Sequence, residues 1–142
     1  MQFAKIRSAK NKDVAYLSGS GLFLASNLKE LVCKNCPHVQ NESLIKLLRC
    51  AKNLELLDIE GCNKITNATI NVAIEVLKHR MNSIILEIKI DHTSIRAYEI
   101  TENLPLLHLI GNSANQLELI KKMISPGKKN LVYRTKIGSR YF

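Results

Sequence analysis

A chain of 142 residues, 46% hydrophobic and 23% charged, has room for one ordinary domain with a real core. It holds no apolar run near the roughly 18 residues that a membrane-spanning helix needs, and its start, MQFAKIRSAKNKD, lacks the apolar stretch of a secretory signal. Of the formal charge of +9, +7 falls in residues 121–142 and +3 in residues 1–13, leaving −1 for residues 14–120; with no aromatic interleaving and no nucleic-acid motif, this argues against DNA or RNA as partner.

The first patterned segment is Phe3-x-x-Ile6-x-Ser8-x-x-Asn11-x-x-Val14, a degraded form of what begins 25 residues later. There, NLKELVCKNCPHVQNESLIKLLRCAK (27–52) and NLELLDIEGCNKITNATINVAIEVLK (53–78) align without a gap. Leu28 matches Leu54, Leu31 matches Leu57, Cys33 matches Ile59, Cys36 matches Cys62, Val39 matches Ile65 and Leu44 matches Ile70, each at a spacing of 26. Alternation of Leu57 and Ile59 predicts a short strand with one face inside. Cys62 stands where the chain turns away from that strand, a place that suits a small side chain with a weak S–H donor. Ile70, Ile74 and Leu77 (or Val76) then fall on one side of a helix, with Ser43 and Thr66 in the N-cap region of the two helices.

Further along, residues 83–91 (SIILEIKID) predict a strand with Leu86 and Ile88 inside. Leu104-x-x-Leu107-x-Leu109-x-x-Asn112 repeats the pattern, with Leu117, Ile120 and Ile124 for its helix, and residues 128–136 supply a last strand through Leu131 and Tyr133. The whole of 1–142 therefore reads as one α/β domain with units starting near 27, 53, 83 and 104 between two degenerate ends, as stacked repeats require of their caps.

The string Cys50-x-x-x-Leu54-x-x-Leu57-x-Ile59-x-x-Cys62-x-x-Ile65-Thr66-Asn67 resembles the cysteine-containing leucine-rich repeat of F-box/leucine-rich-repeat proteins. The resemblance covers two units well and the rest loosely. It implies a solenoid: a curved parallel sheet on the concave side and helices on the convex side. It also implies substrate recognition for an SCF-type ubiquitin ligase, with a separate F-box segment reaching the ligase adaptor. Nothing before residue 27 reads as an F-box, and the chain has no Trp, so the expectation is a fragment of a longer protein or a short member of the group. The alternative is a scaffold or regulatory subunit outside the ubiquitin system, in the cytoplasm or nucleus, or in mitochondria given the basic, acid-free residues 1–12.

On such a sheet, the residues between the buried leucines face a partner protein. They are Glu30, Val32 and Lys34, then Leu56, Asp58 and Glu60, then Ile85, Glu87 and Lys89, then Leu106, His108 and Ile110, with Lys5, Arg7 and Arg134 from the end units. The middle of this face is acidic. Cys33-x-x-Cys36 with His38, Cys50 and Cys62 invites a zinc site, but the alignment already explains these cysteines as core and turn, so no metal and no cofactor is expected. Gly19-Ser-Gly21 reads as a loop, and His79, His92 and His108 fall in different units; no nucleophile, phosphate-loop or metalloprotease motif is present, so the chain is expected to bind rather than catalyse.

Overall fold

The computed structural model describes residues 5–19, 25–102, 104–111, 133–137 and 140–141. In chain order these form β1 (Lys5–Ile6), α1 (Asn11–Gly19), β2 (Glu30–Val32), α2 (Asn41–Cys50), β3 (Leu56–Asp58), α3 (Asn67–Lys78), β4 (Leu86–Lys89), a 3₁₀ turn (Ala97–Glu99), β5 (Leu107–Gly111), β6 (Tyr133–Ile137) and β7 (Arg140–Tyr141). Strand order in the sheet follows chain order. Strands β1 to β5 are all parallel, β6 extends the sheet in parallel beside β5, and β7 pairs antiparallel with β6. The fold is α/β.

Parallel neighbours need a crossover, and here a helix fills most of them. Leu44, Leu47 and Leu48 recur at helical spacing on α2 and are fully buried; Ile70, Ala73, Ile74 and Leu77 recur likewise on α3 and are buried. Helix α1 packs on α2, and α2 on α3, so the helices form a layer of their own. The sheet's contribution to the core is the row Leu31, Leu57, Ile88 and Leu109, each fully buried. Burying one such side chain stabilises by about 1.5–3 kcal/mol, and none of these units could bury its own without a neighbour.

The register fixes the unit lengths. Leu31 pairs with Leu57, 26 positions on, as the alignment predicts. Leu57 then pairs with Ile88, 31 positions on, and Ile88 with Leu109, only 21 on. The short crossover carries the 3₁₀ turn in place of an α-helix. Leu117, Ile120 and Ile124 of the expected last helix lie outside the described residues, as do Phe3, Asn112 and Leu131.

Polar groups also recur from unit to unit. Asn41 Oδ1 accepts from Thr66 N (3.0 Å) and from Thr69 Oγ1 (2.7 Å), while its Nδ2 donates to Thr66 Oγ1 (3.0 Å). Asn67, the equivalent residue one unit on, accepts from Arg96 N (2.7 Å) and donates to Arg96 O (3.0 Å). At the opposite end of the units, Asn53 Nδ2 donates to Ser26 O (2.7 Å) and Asn82 Nδ2 to Lys52 O (3.0 Å). Thr66 caps α3 as expected, accepting from Ala68 N. Ser43 does not cap α2: the helix starts at Asn41, Gln40 precedes it without a side-chain bond, and Ser43 sits within the first turn. The side chain that would cap from Asn41 is committed to the neighbouring unit instead.

After β2, β3 and β4 the chain turns through a left-handed residue: Asn35 (φ 54°), Gly61 (φ 80°) and His92 (φ 57°) occupy equivalent places. Asn35 N donates to Glu60 O (2.8 Å) and Gly61 N to Asp91 O (2.9 Å), so the ladder continues into the turns. A Cβ on Gly61 would lie 2.0 Å from Asn35 Oδ1. Gly61→Ala is therefore expected to destabilise by about 1–3 kcal/mol in urea unfolding, and Asn35→Gly in the same chain should recover the part due to the clash. A Gly61→Ala chain with an unchanged midpoint would contradict this turn geometry.

Candidate functional site

Parallel pairing places residues of one face side by side, so the outward residues form rows across the strands. One row runs Lys5, Glu30, Leu56, Glu87, His108. The next runs Val32, Asp58, Lys89, Ile110, with Arg134 paired beyond it in the backbone register. Lys34 and Glu60 continue the face into the turns.

The residues of this face are not equally open. Ile85 (44% exposed) and Lys34 are exposed; Glu30, Val32, Leu56, Glu60, Glu87, Lys89 and Leu106 are half-buried. Asp58 (2%), His108 (8%) and Ile110 (6%) are buried, against the expectation that they face a partner freely. Asp58 is enclosed by its own partners: Lys34 Nζ lies 3.6 Å from its Oδ2, and Glu60 N donates to its Oδ1 at 3.2 Å. His108 and Ile110 stand on β5, which has a strand on each side and all five of its residues buried.

Charge is paired unevenly. Glu30 meets Lys5 (3.1 Å) and Arg7 (3.8 Å), and Lys34 bridges Asp58 and Glu60 at 3.6 Å each. Burial, and then the charge of Asp58, push the Glu60 carboxyl above its ordinary value. Glu55 and Glu87 have no cation within ion-pair distance among the described residues.

These features meet in an open groove of about 580 Å³. Three carboxylates line it (Glu30, Glu55, Glu87), with Leu56, Ile84, Ile85 and Ser83 as its less polar surface and His108 at one end. Of the residues expected on the binding face, the groove gathers Glu30, Leu56, Ile85, Glu87 and His108; Val32, Lys34, Asp58, Glu60, Lys89, Leu106 and Ile110 do not line it. Glu55, Ser83 and Ile84 escape an alternation argument because they precede their strands. The signal for Ser83 and Ile84 is the long spacing from Leu57 to Ile88, which inserts chain ahead of β4. His108 Nδ1 is buried without a hydrogen-bond partner, a cost of about 1–3 kcal/mol when left unmade.

The cysteines do other work. Cys62 Sγ donates to Cys33 O (2.9 Å), and Cys36 Sγ lies 3.3 Å from Ala9 O and 3.4 Å from Lys34 O. Hydrogen bonding with Cys62 and burial push the Cys33 thiol up, and burial raises Cys36, so both stay neutral. All four cysteines are free thiols. Thr93 takes the cysteine's place in the following unit, its Oγ1 donating to Ile90 O (2.6 Å). Among the described residues no three His, Cys, Asp or Glu side chains converge to hold a metal ion. A second recess, of about 290 Å³ at the start of α3, is lined by Asn67, Arg96 and Glu99, whose polar groups are bonded to one another.

The chain matches no protein-family model, no curated protein and no solved structure. Among the described residues no helix is long and apolar enough to cross a membrane.

Because the folded carboxyl of Glu60 lies above 4.5, the native state takes up its proton at a higher pH than the unfolded chain does. Stability from this group therefore rises as pH falls through the raised value and is fully gained below the unfolded one. Wild type should gain on Glu60→Gln as pH is lowered from 7 through the carboxylate range, read from urea midpoints; a gap constant with pH would contradict it.

Proposed function

We propose that this chain is a leucine-rich-repeat solenoid whose open sheet face binds another protein and performs no chemistry of its own. The observation that carries the reading is the outward row Glu30, Leu56, Glu87: charged and aliphatic side chains alternate there across three strands, with no element of the described chain packed over them. The repeat supports the solenoid, since strands in chain order with equivalent Asn, Cys and left-handed residues in successive turns are what a stacked repeat requires. Its residues 50–67 also resemble those of F-box/leucine-rich-repeat proteins, which makes substrate recognition for an SCF-type ubiquitin ligase the leading role. An adaptor would then be reached through an F-box segment. The rival role is a scaffold or regulatory subunit using the same face, in cytoplasm, nucleus or mitochondria.

Affinity purification of the tagged full-length native protein, followed by mass spectrometry, separates the two. A cullin with its adaptor should co-purify, and blocking neddylation should enrich whichever protein occupies the face. A stable partner without cullin or adaptor would move the role to scaffold. A chain that retains no protein partner, alone or after cross-linking, would overturn the binding reading itself.

A further inference from the structure

We infer that the groove takes a basic segment of another protein, in which two Lys or Arg side chains flank an aliphatic one; this rests on the reading of the sheet face as a protein-binding surface. Glu30, Leu56 and Glu87 are lateral neighbours on β2, β3 and β4. Strands lie about 4.8 Å apart, so the backbones of the two glutamates stand about 10 Å apart with that of the leucine between them. Glu55 adds a third carboxylate, and among the described residues no Lys or Arg lines the groove. Glu87 and Glu55 have no ion partner among the described residues. Those of Glu30 are Lys5 and Arg7, whose side chains are 50% and 70% exposed and free to yield to a competitor.

His108 closes one end of the groove. It is next to Glu87 in the row and 8% exposed, and its Nδ1 is buried without a hydrogen-bond partner.

The groove's wall is set in advance. Asn82 Nδ2 is bonded to Lys52 O (3.0 Å) and its Oδ1 accepts from Ile84 N (3.1 Å), while Arg80 clasps Leu54 O (2.9 Å) and Ala51 O (2.8 Å). Ile85 is thereby held 44% exposed beside Leu56, and little ordering remains to be done on binding. Three carboxylates repel phosphate, so a nucleic acid does not fit here. The net charge of +9 opposes general attraction of a basic ligand, so affinity for one has to come from the groove itself.

The probe is a fluorescein-labelled Gly/Ser dodecamer carrying Arg-Ser-Leu-Ser-Arg, titrated with the full chain by fluorescence anisotropy. Matched peptides carry Gln-Ser-Leu-Ser-Gln or Arg-Ser-Ser-Ser-Arg. The arginine–leucine peptide should bind at least about tenfold tighter than either. Glu87→Gln and Leu56→Ser should each remove about that factor while leaving the urea midpoint of Glu87→Gln within error of wild type. Equal affinity for all three peptides, or an affinity untouched by Glu30→Gln and Glu87→Gln together, overturns the inference. A photo-cross-linking residue at Lys89 separates this failure from that of the broader reading. Cross-linking to a co-purified partner, with no preference for the arginine peptide, leaves the face a binding surface and removes the basic ligand; no cross-link and no preference removes both.

Discussion

Everything in this structure depends on neighbouring strands meeting in register. Leu31, Leu57, Ile88 and Leu109 lie side by side across β2 to β5 and are all fully buried. Strand side chains alternate with a period of two, so a slip by one residue would send this row to the outside and bring Glu30, Leu56 and Glu87 into the core. The hydrophobic row thus fixes the outward row. The burial that holds the units together also decides which charges lie on the outer face.

Register alone does not hold a unit's turns and helix ends, and a second set of bonds does that. Asn41 and Asn67 satisfy backbone and hydroxyl groups of the next unit at the start of the helices. Cys62 bonds back to the carbonyl of Cys33 in the unit before it. Arg80 closes the carbonyls of Ala51 and Leu54 beyond α2, half-buried, with burial pulling its guanidinium pKa down. Each of these bonds crosses between units, so unit adds to unit through polar as well as apolar contact. Exposed pairs such as Lys46–Glu42 (3.6 Å) add little by comparison.

Much of the fold was legible because the 26-residue spacing is uninterrupted from Leu28 to Leu77. That spacing foretold the buried faces of β2, β3, α2 and α3, and it explained Cys36 and Cys62 as turn residues. It was silent where the repeat stretches and shrinks. The 31-residue step to Ile88 displaces Thr93 from visible alignment with Cys62, although Thr93 stands in the same turn. His92 likewise adopts the left-handed turn that Gly61 adopts, and nothing in its chemistry announces that.

The outer face of the sheet was only half legible. Alternation correctly says which side of the sheet a residue takes, but not what covers it there. Asp58 is enclosed by Lys34 and its own turn, and His108 and Ile110 by their place on a strand flanked on both edges. Glu55 and Ile84 reach the groove from positions outside the alternating pattern. The groove's chemistry is therefore a property of the register and of the inserted chain before β4 together. Cross-strand nuclear Overhauser effects in the isotope-labelled chain test this most directly. The account predicts contacts linking Leu31 to Leu57, Leu57 to Ile88 and Ile88 to Leu109 in parallel pairing, and the absence of those contacts, or pairing shifted by one residue, would contradict it.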